Sequence, residues 1–229
     1  MTSLQNLSRR LALATSVLLL AALPALPSAT AQVFCPDAEV LFARGTNQPP
    51  GAGTEGDTFN TILRAQTVPK TLTTYAVDYP ATTDFHTAID GIRDARNHIM
   101  NTVNTCPRTK LVLAGYSQGA AVMGFVTANV IPDGVDPADV PTPMPPTVAD
   151  HVAAVVLFGL PSARFMQMVG APPITIGPLY KDKTDELCIP NDLVCDPDGS
   201  SFDVHTTYIA SGMVLKGASF ASGALNAAG

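Results

Sequence analysis

Short apolar runs alternate with amphipathic stretches along most of this chain. Runs rich in valine, leucine and aromatic residues predict β-strands, and the third and fourth are apolar almost throughout, as in parallel strands that are covered on both faces. The predicted strands span residues 38–43, 73–79, 110–114, 151–158 and 183–187.

Helical periodicity separates these runs. Residues 86–103 repeat isoleucine and valine along one stripe, which predicts an amphipathic helix. Residues 118–130 are apolar nearly all round and predict a helix buried beside the sheet. A last helix, rich in small residues, is predicted over about 206–224. This alternation predicts an α/β fold with a mainly parallel sheet.

One segment breaks the pattern. Residues 131–150 contain six prolines and can form neither a regular helix nor a central strand. The simpler interpretation is a surface loop with polyproline character. The alternative is a flap near the active site, with Val140 or Met144 touching an acyl chain.

The first 31 residues have the layout of a cleaved secretory signal. Arg9 and Arg10 precede an apolar run over 11–23, and small residues ending in Ala-Thr-Ala lead to Gln32. A membrane anchor is the alternative, but thirteen residues are too few to cross ~30 Å of hydrocarbon, which needs about 20. We therefore expect a signal peptide over 1–31, a single domain over 32–229 with 131–150 as a loop insertion, and a secreted protein, with the cell envelope as a further site of residence.

Charge and composition narrow the partners. The expected mature chain carries 11 basic and 19 acidic residues, a formal charge of −8, with no basic patch to neutralise phosphate. Nucleic acid is therefore not an expected partner. The chain has no tryptophan, and 6% of its residues are aromatic, which disfavours a platform for stacking sugars or bases.

All four cysteines, Cys35, Cys106, Cys188 and Cys195, follow the predicted signal. An even number behind a signal predicts two disulfides, and three pairings are possible. Cys188 and Cys195 flank a Pro-Asn-Asp turn, so the spacing favours their pairing and leaves Cys35 with Cys106. A zinc site is the alternative, but no C-x-x-C pair or histidine at ligand spacing supports it, and we expect no metal.

The strongest chemical signal is G-Y-S-Q-G at 115–119, where an apolar strand leads directly into an apolar helix. This is the arrangement of a nucleophile elbow, in which Ser117 sits on a sharp strand-to-helix turn with helix N–H groups beneath it. A glycine-rich turn with an idle serine is the competing interpretation.

A serine nucleophile needs a base, and four histidines are available. In this fold class the acid and then the histidine follow the serine along the chain. Only His151 and His205 do so, and only His205 leaves room for an acid from a later strand, so His205 is the predicted base. Asp192 is the predicted acid because the short Cys188–Cys195 loop would fix its direction, although it could be an ordinary turn aspartate. Asp203 is too near His205, and the remaining candidates lack such a clamp: Asp182, Asp185, Glu186 and Asp196.

The oxyanion of the reaction needs donors. The Gln118 N–H and the N–H and hydroxyl of Thr46, in the loop after the first strand, are the predicted donors. Arg44 is expected to brace that loop rather than bind substrate.

Taken together, the motifs resemble the cutinase family, in its mycobacterial branch of cutinase-like proteins. The resemblance spans the whole expected mature chain. It rests on F-A-R-G-T at 42–46, Y-A-V-D-Y-P at 75–80, G-Y-S-Q-G at 115–119, V-L-F-G at 156–159, I-G-P-L-Y at 176–180, C-x(3)-D-x(2)-C at 188–195 and His205.

The resemblance implies an α/β-hydrolase with a central, mainly parallel five-stranded sheet flanked by helices on both faces. It implies the Ser117, Asp192 and His205 triad, the Thr46 and Gln118 donors, and both disulfides. Two departures stand out: residues 131–150 are longer than in typical fungal members, which questions an open site, and Thr46 replaces a frequent serine while keeping the hydroxyl.

The expected function is therefore a serine esterase for short- to medium-chain acyl esters, which works without a cofactor. Phe85, Phe202 and Val204 are candidate contacts for the acyl chain, with a place in the core as the alternative. A lipase or phospholipase A is the second enzymatic possibility, and a non-catalytic secreted binding protein is the alternative from another class. We expect a monomer that takes acyl ester or lipid substrates, with a lipid surface as a possible partner.

Overall fold

A computed structural model describes residues 34–228, so the predicted signal peptide lies outside the described residues. The chain forms one five-stranded sheet in the order β2-β1-β3-β4-β5, and every neighbouring pair is parallel. This confirms the predicted parallel sheet. The strands are β1 (Ala38–Ala43), β2 (Leu72–Ala76), β3 (Lys110–Tyr116), β4 (Val152–Phe158) and β5 (Thr184–Leu187).

Helices cover both faces of the sheet, because the strands are apolar on both sides. Side chains from α2 and α3 pack on one face, and side chains from α1 and α7 pack on the other. The helices are α1 (Gly53–Gln66), α2 (Ala88–Thr105), α3 (Gln118–Val126), α4 (Ala163–Met168), α5 (Pro178–Lys181), α6 (Phe202–His205) and α7 (Met213–Ala227). Short 3-10 helices over Phe85–Thr87 and Pro146–His151 precede α2 and β4.

The α1 helix was not predicted from the sequence. It contains two glycines and three threonines, which have low helix propensity, so its periodic signal is weak. Its stability comes instead from tertiary packing. Phe59 of α1 lies 6.0 Å from Phe42 and 5.8 Å from Phe158, measured between ring centroids, in the core beneath the sheet.

Three predicted boundaries were wrong. The strand expected to reach 79 ends at Ala76, which pairs with Phe42, the residue before the end of β1. The α3 helix ends at Val126, because the carbonyl of Thr127 accepts the N–H of Gly177 instead of continuing the helix. The last predicted helix, over about 206–224, begins only at Met213, because residues 206–212 form turns and Gly212 is in a left-handed conformation before α7.

The strands end together at one edge of the sheet. Ala43 at the end of β1 pairs with Gly115 of β3, and Phe158 at the end of β4 pairs with Tyr116 on one side and Leu187 on the other. The loops that leave these strands therefore meet outside the carboxyl edge, where ligands bind in open α/β sheets.

Two disulfides tie down the ends of the fold. Cys35 pairs with Cys106 and joins the segment before β1 to the end of α2, while Cys188 pairs with Cys195 in the loop after β5. Both pairings match the predicted ones. Among residues 34–228, no helix is long and apolar enough to cross a bilayer.

A polar cluster links β1 to α2. The partly buried Glu39 accepts hydrogen bonds from the Thr102 hydroxyl (2.9 Å) and from Nε2 of His98 (3.1 Å). Burial alone would raise the pKa of Glu39, but the hydrogen bonds from His98 and Thr102 outweigh it, and the pKa lies below its usual value.

We expect Glu39→Gln to lower the free energy of unfolding by about 1–2 kcal/mol near neutral pH, since it removes a charged acceptor. The lowered pKa makes this contribution complete above the unfolded pKa of about 4.3, and it is lost as the pH falls through the folded value. Urea unfolding of both proteins at about pH 7 and about pH 3 would measure the difference. Glu186→Gln, at an exposed position on β5, is the matched control. A wild-type advantage of equal size at both pH values would contradict the assignment.

Candidate active site

Ser117 is the single residue between β3 and α3, and its backbone has φ 55° and ψ −120°. Such a positive φ is uncommon for a residue with a side chain. Two hydrogen bonds fix this turn: the Ser117 N–H donates to the carbonyl of Phe158 (2.8 Å), and its own carbonyl accepts the N–H of Ala121 (3.1 Å). The side chain is half-buried. The predicted elbow geometry is therefore present.

The flanking glycines are needed for space. A Cβ at Gly119 would collide with the backbone carbonyl of Ala43, and a Cβ at Gly115 would collide with the carbonyl of Gly119. Neither obstacle is a side chain that can rotate away. The start of α3 thus packs directly against the end of β1, and this contact brings the loop after β1 next to the elbow.

The structure brings Asp192 and His205 into direct contact. Oδ2 of Asp192 lies 2.8 Å from Nδ1 of His205, and the two side chains are 0% and 2% exposed. A carboxylate can only accept, so Nδ1 carries the proton and Nε2 of the neutral ring is left with a free lone pair. Nε2 is buried and has no hydrogen-bond partner among residues 34–228.

The histidine lies beside the elbow. The ring of Tyr116, the residue before Ser117, stacks on the ring of His205 at 5.1 Å, and the Tyr116 hydroxyl donates to the His205 carbonyl (2.7 Å). Gly159 directly follows Phe158, whose carbonyl accepts the Ser117 N–H. A Cβ at Gly159 would lie only 2.7 Å from Cε1 of His205, so the histidine ring packs against this part of the backbone. Within the described residues, the Ser117 hydroxyl and His205 share no hydrogen bond.

Asp192 is held by three donors. Besides His205, the N–H of Val194 donates to Oδ1 (2.8 Å), and the hydroxyl of Tyr208 donates to Oδ2 (2.8 Å). Burial works to raise the pKa of Asp192, but the hydrogen bonds from His205, Val194 and Tyr208 together lower it below its usual value. Burial and the neighbouring carboxylate raise the pKa of Tyr208 well above normal, so its hydroxyl remains a donor.

A β-bridge between the backbones of Asp192 and Ser201 positions both Asp192 and His205. Leu193 donates to the carbonyl of Ser201 (3.1 Å), and Ser201 donates to the carbonyl of Asn191 (3.0 Å), on either side of Asp192. The hydroxyl of Ser201 also accepts the N–H of Val204 (3.3 Å) and begins α6, whose last residue is His205. The acid loop and the histidine helix therefore share one anchor.

The predicted oxyanion donors lie at the junction of β1 and α3. As the first residue of α3, Gln118 has an N–H with no acceptor inside the helix, and its buried side chain donates to the carbonyl of Thr82 (2.9 Å). Thr46 is half-buried, and neither its N–H nor its hydroxyl bonds to any residue within 34–228. Arg44 is buried and donates to the carbonyls of Gln48 and Tyr79, as expected of a brace.

The three residues predicted to contact the acyl chain differ in their surroundings. Phe202 is 57% exposed, with its ring 5.5 Å from that of His205. Val204 is half-buried in α6. Phe85 is half-buried, and its ring lies 6.0 Å from that of Phe165.

Sequence reasoning missed Tyr116 and Tyr208. The elbow motif treats position 116 as any residue, so it carries no signal for a ring stacked on the histidine. Tyr208 stands three residues after His205, and only its place as an aromatic residue in a polar stretch could have drawn attention to it.

Comparison with known proteins agrees with this architecture. The family model described as Cutinase matches residues 34–225. The chain is 58% identical to the probable carboxylesterase Culp5 of Mycobacterium tuberculosis over 167 residues, covering 73% of this chain and 95% of Culp5. It is 44% identical to the phospholipase Culp4 of the same organism over 190 residues, covering 83% and 79%.

Among solved structures, the cutinase of Trichoderma reesei, in complex with a phosphonate inhibitor, superposes with a TM-score of 0.64 at 29% identity. The match covers 83% of this chain and 77% of that one. The motifs, the parallel sheet with its elbow and the family match lead to one conclusion: the chain belongs to the cutinase family of α/β-hydrolases.

Proposed function

We propose that this protein is a secreted serine esterase that cleaves acyl esters of short to medium chain length through Ser117, Asp192 and His205. Membership of the cutinase family makes it a carboxylic ester hydrolase. The observation that carries the finer proposal is the buried pair of Asp192 and His205, which adjoins a serine on a sharp turn with positive φ.

Acyl transfer follows from these groups. Asp192 holds the proton on Nδ1 of His205, so Nε2 is the atom that can accept the Ser117 proton as the hydroxyl attacks the ester carbonyl. The imidazolium formed is stabilised by the adjacent carboxylate and returns its proton to the leaving alcohol. Water then repeats the sequence on the acyl-enzyme. Catalytic hydrogen bonds are often long without substrate, so the missing bond between Ser117 and His205 is compatible with this role.

The oxyanion is assigned to the N–H groups of Gln118 and Thr46. A donor that already holds a protein acceptor would have to break that bond before it could stabilise the developing charge. Neither N–H is engaged within the described residues, and the positive end of the α3 dipole lies beneath the same point.

Secretion is part of the proposal, with residues 1–31 as a signal removed before a mature domain over 32–229. The two disulfides support it, because such bonds persist in oxidising compartments outside the cytosol. The second candidate function is a phospholipase, which the similarity to Culp4 favours. Release of fatty acid from phosphatidylcholine vesicles, compared with turnover of soluble esters, separates the two.

We expect Ser117→Ala to reduce kcat/KM for p-nitrophenyl butyrate by at least about 10⁴-fold, because the nucleophile is lost while the hole and the pocket remain. A fluorophosphonate probe should label the wild type and leave the variant unlabelled. Ser219→Ala, which removes an exposed hydroxyl on α7, is the matched control and should retain full activity. Retained turnover in Ser117→Ala would refute the assignment of the nucleophile.

Asp192→Asn should lower kcat by about 10⁴-fold. The amide stabilises the wrong tautomer of His205, and because it is neutral it does not stabilise the imidazolium that forms during the reaction. Asp203→Asn is the matched control, since Asp203 is exposed and lies two residues from His205. If Asp203→Asn were the more damaging change, the acid would be misassigned. Both variants are compared in stopped assays with the same ester.

Tyr208 is assigned as a positioning residue, because its hydroxyl shares Oδ2 of Asp192 with His205. We expect Tyr208→Phe to lower kcat by about tenfold, the effect of one hydrogen bond to a charged group. Loss of this donor raises the pKa of Asp192 and makes the carboxylate more basic, so the acid limb of the kcat/KM profile should move to higher pH. A lower kcat with an unmoved profile would indicate a merely structural role.

A further inference from the structure

A sizeable cavity in the described part of the chain lies beside the predicted triad rather than over it. It is a groove of about 710 Å³, within the size range of small-molecule sites. Its walls come from α2, α3, residues 130–143 and the segment that includes α4 and ends at 172. Ser117, Asp192 and His205 do not line it.

The lining of this groove includes residues close to the elbow. Ala121 lines it and is one helical turn along α3 from Ser117, whose carbonyl accepts the Ala121 N–H (3.1 Å). Phe85 also lines the groove, three residues after Thr82, whose carbonyl accepts a hydrogen bond from the side chain of Gln118 (2.9 Å). A chain attached at Ser117 could therefore enter the groove directly.

The lining continues along α3 away from the nucleophile. From Ala121 to Val126, which both line the groove, α3 rises about 7.5 Å, and the lining extends further to Ala128 beyond the helix. This length exceeds the reach of a butyryl chain. It suits a longer, unbranched one.

The Pro-rich segment forms the outer wall and is tied to α2. Arg93 donates to the carbonyl of Asp139, and Arg96 donates to the carbonyl (2.7 Å) and the hydroxyl (3.1 Å) of Thr142. Residues 131–145 form no helix or strand of their own, so these guanidinium contacts set their position. Val135 and Val140 of this segment face the groove.

The residues that line the groove indicate which kind of ligand it can bind. Apolar side chains dominate it, including Phe85, Ile89, Ile92 and Phe125. Its carboxylates, Asp133, Asp136 and Asp139, are exposed and would repel an anionic group. A sugar or peptide would find few donors, since the one guanidinium of the lining, that of Arg96, is already engaged with Thr142.

We propose that this groove binds the acyl chain of a long-chain ester, with the carbonyl at Ser117 and the methyl end beneath the Pro-rich segment. The proposal rests on the serine esterase function above and extends its substrates beyond short and medium chains. Residues 131–143 then act as a fixed wall that sets the chain length accepted.

The test compares p-nitrophenyl dodecanoate with p-nitrophenyl butyrate, each kept below its aggregation concentration. Each buried methylene should raise kcat/KM about threefold to fourfold, so the dodecanoate to butyrate ratio in the wild type should be large. Ala128→Phe places a ring in the groove and should lower this ratio at least tenfold. Ala171→Phe, in the part of the lining that follows α4, should do the same, and Ala65→Phe, at an exposed site on α1, should leave the ratio unchanged.

A direct binding measurement separates this proposal from the catalytic one. In the Ser117→Ala background, the fluorescent fatty acid cis-parinaric acid should bind to the protein. Adding Ala128→Phe should raise the Kd for this fatty acid at least tenfold, whereas adding Ala65→Phe should leave the Kd unchanged. Melting temperatures of the variants establish that they are folded.

The outcomes are distinct. Turnover of butyrate without preference for dodecanoate, or a ratio that both groove variants leave unchanged, overturns the groove and leaves the esterase function standing. Absence of turnover of both esters, with fatty acid binding that responds to Ala128→Phe, overturns the esterase function and supports the groove. Fatty acid binding that Ala128→Phe leaves unchanged overturns the groove.

Discussion

Between Tyr116, the last residue of β3, and Gln118, the first of α3, the chain has one residue in which to turn from strand to helix. That residue is a serine with positive φ, and glycines on both sides let α3 approach the carbonyls at the end of β1. Strain of this kind persists only where the surroundings over-determine it. Here β1, β4 and α3 all contact the turn, and every other feature of the site is placed relative to it.

The charge of the buried Asp192 carboxylate is stabilised by the hydrogen bonds that it accepts. A carboxylate as buried as Asp192 would be costly without partners, and it has three. These donors keep the carboxyl ionised against the effect of burial and fix the tautomer of His205. The same oxygen serves His205 and Tyr208, so a residue outside the predicted triad helps to determine how basic the carboxylate is.

The groove and the triad are separate features that share the elbow. Catalysis needs buried polar groups in fixed directions, whereas recognition of an acyl chain needs an apolar surface with little directionality. Asp192 and His205 lie in the segment after β5, beside the elbow that follows β3, and the proposed acyl groove lies between α2, α3 and the Pro-rich segment. The carbonyl of Ser117 and the N–H of Ala121 connect the two.

Local patterns in the sequence determined much of this architecture. Apolar runs predicted the five strands and their parallel pairing, because doubly covered strands have a recognisable composition, and the G-Y-S-Q-G motif predicted the elbow from the space and dihedral angles it requires. Chain order and the short cysteine loop selected Asp192 and His205. Only the tertiary structure decided the α1 helix, which Phe59 stabilises through distant partners, the contact of Tyr116 and Tyr208 with the acid and base, and the groove beneath residues 131–143. These features join residues far apart in the chain, and no local periodicity or motif records such contacts.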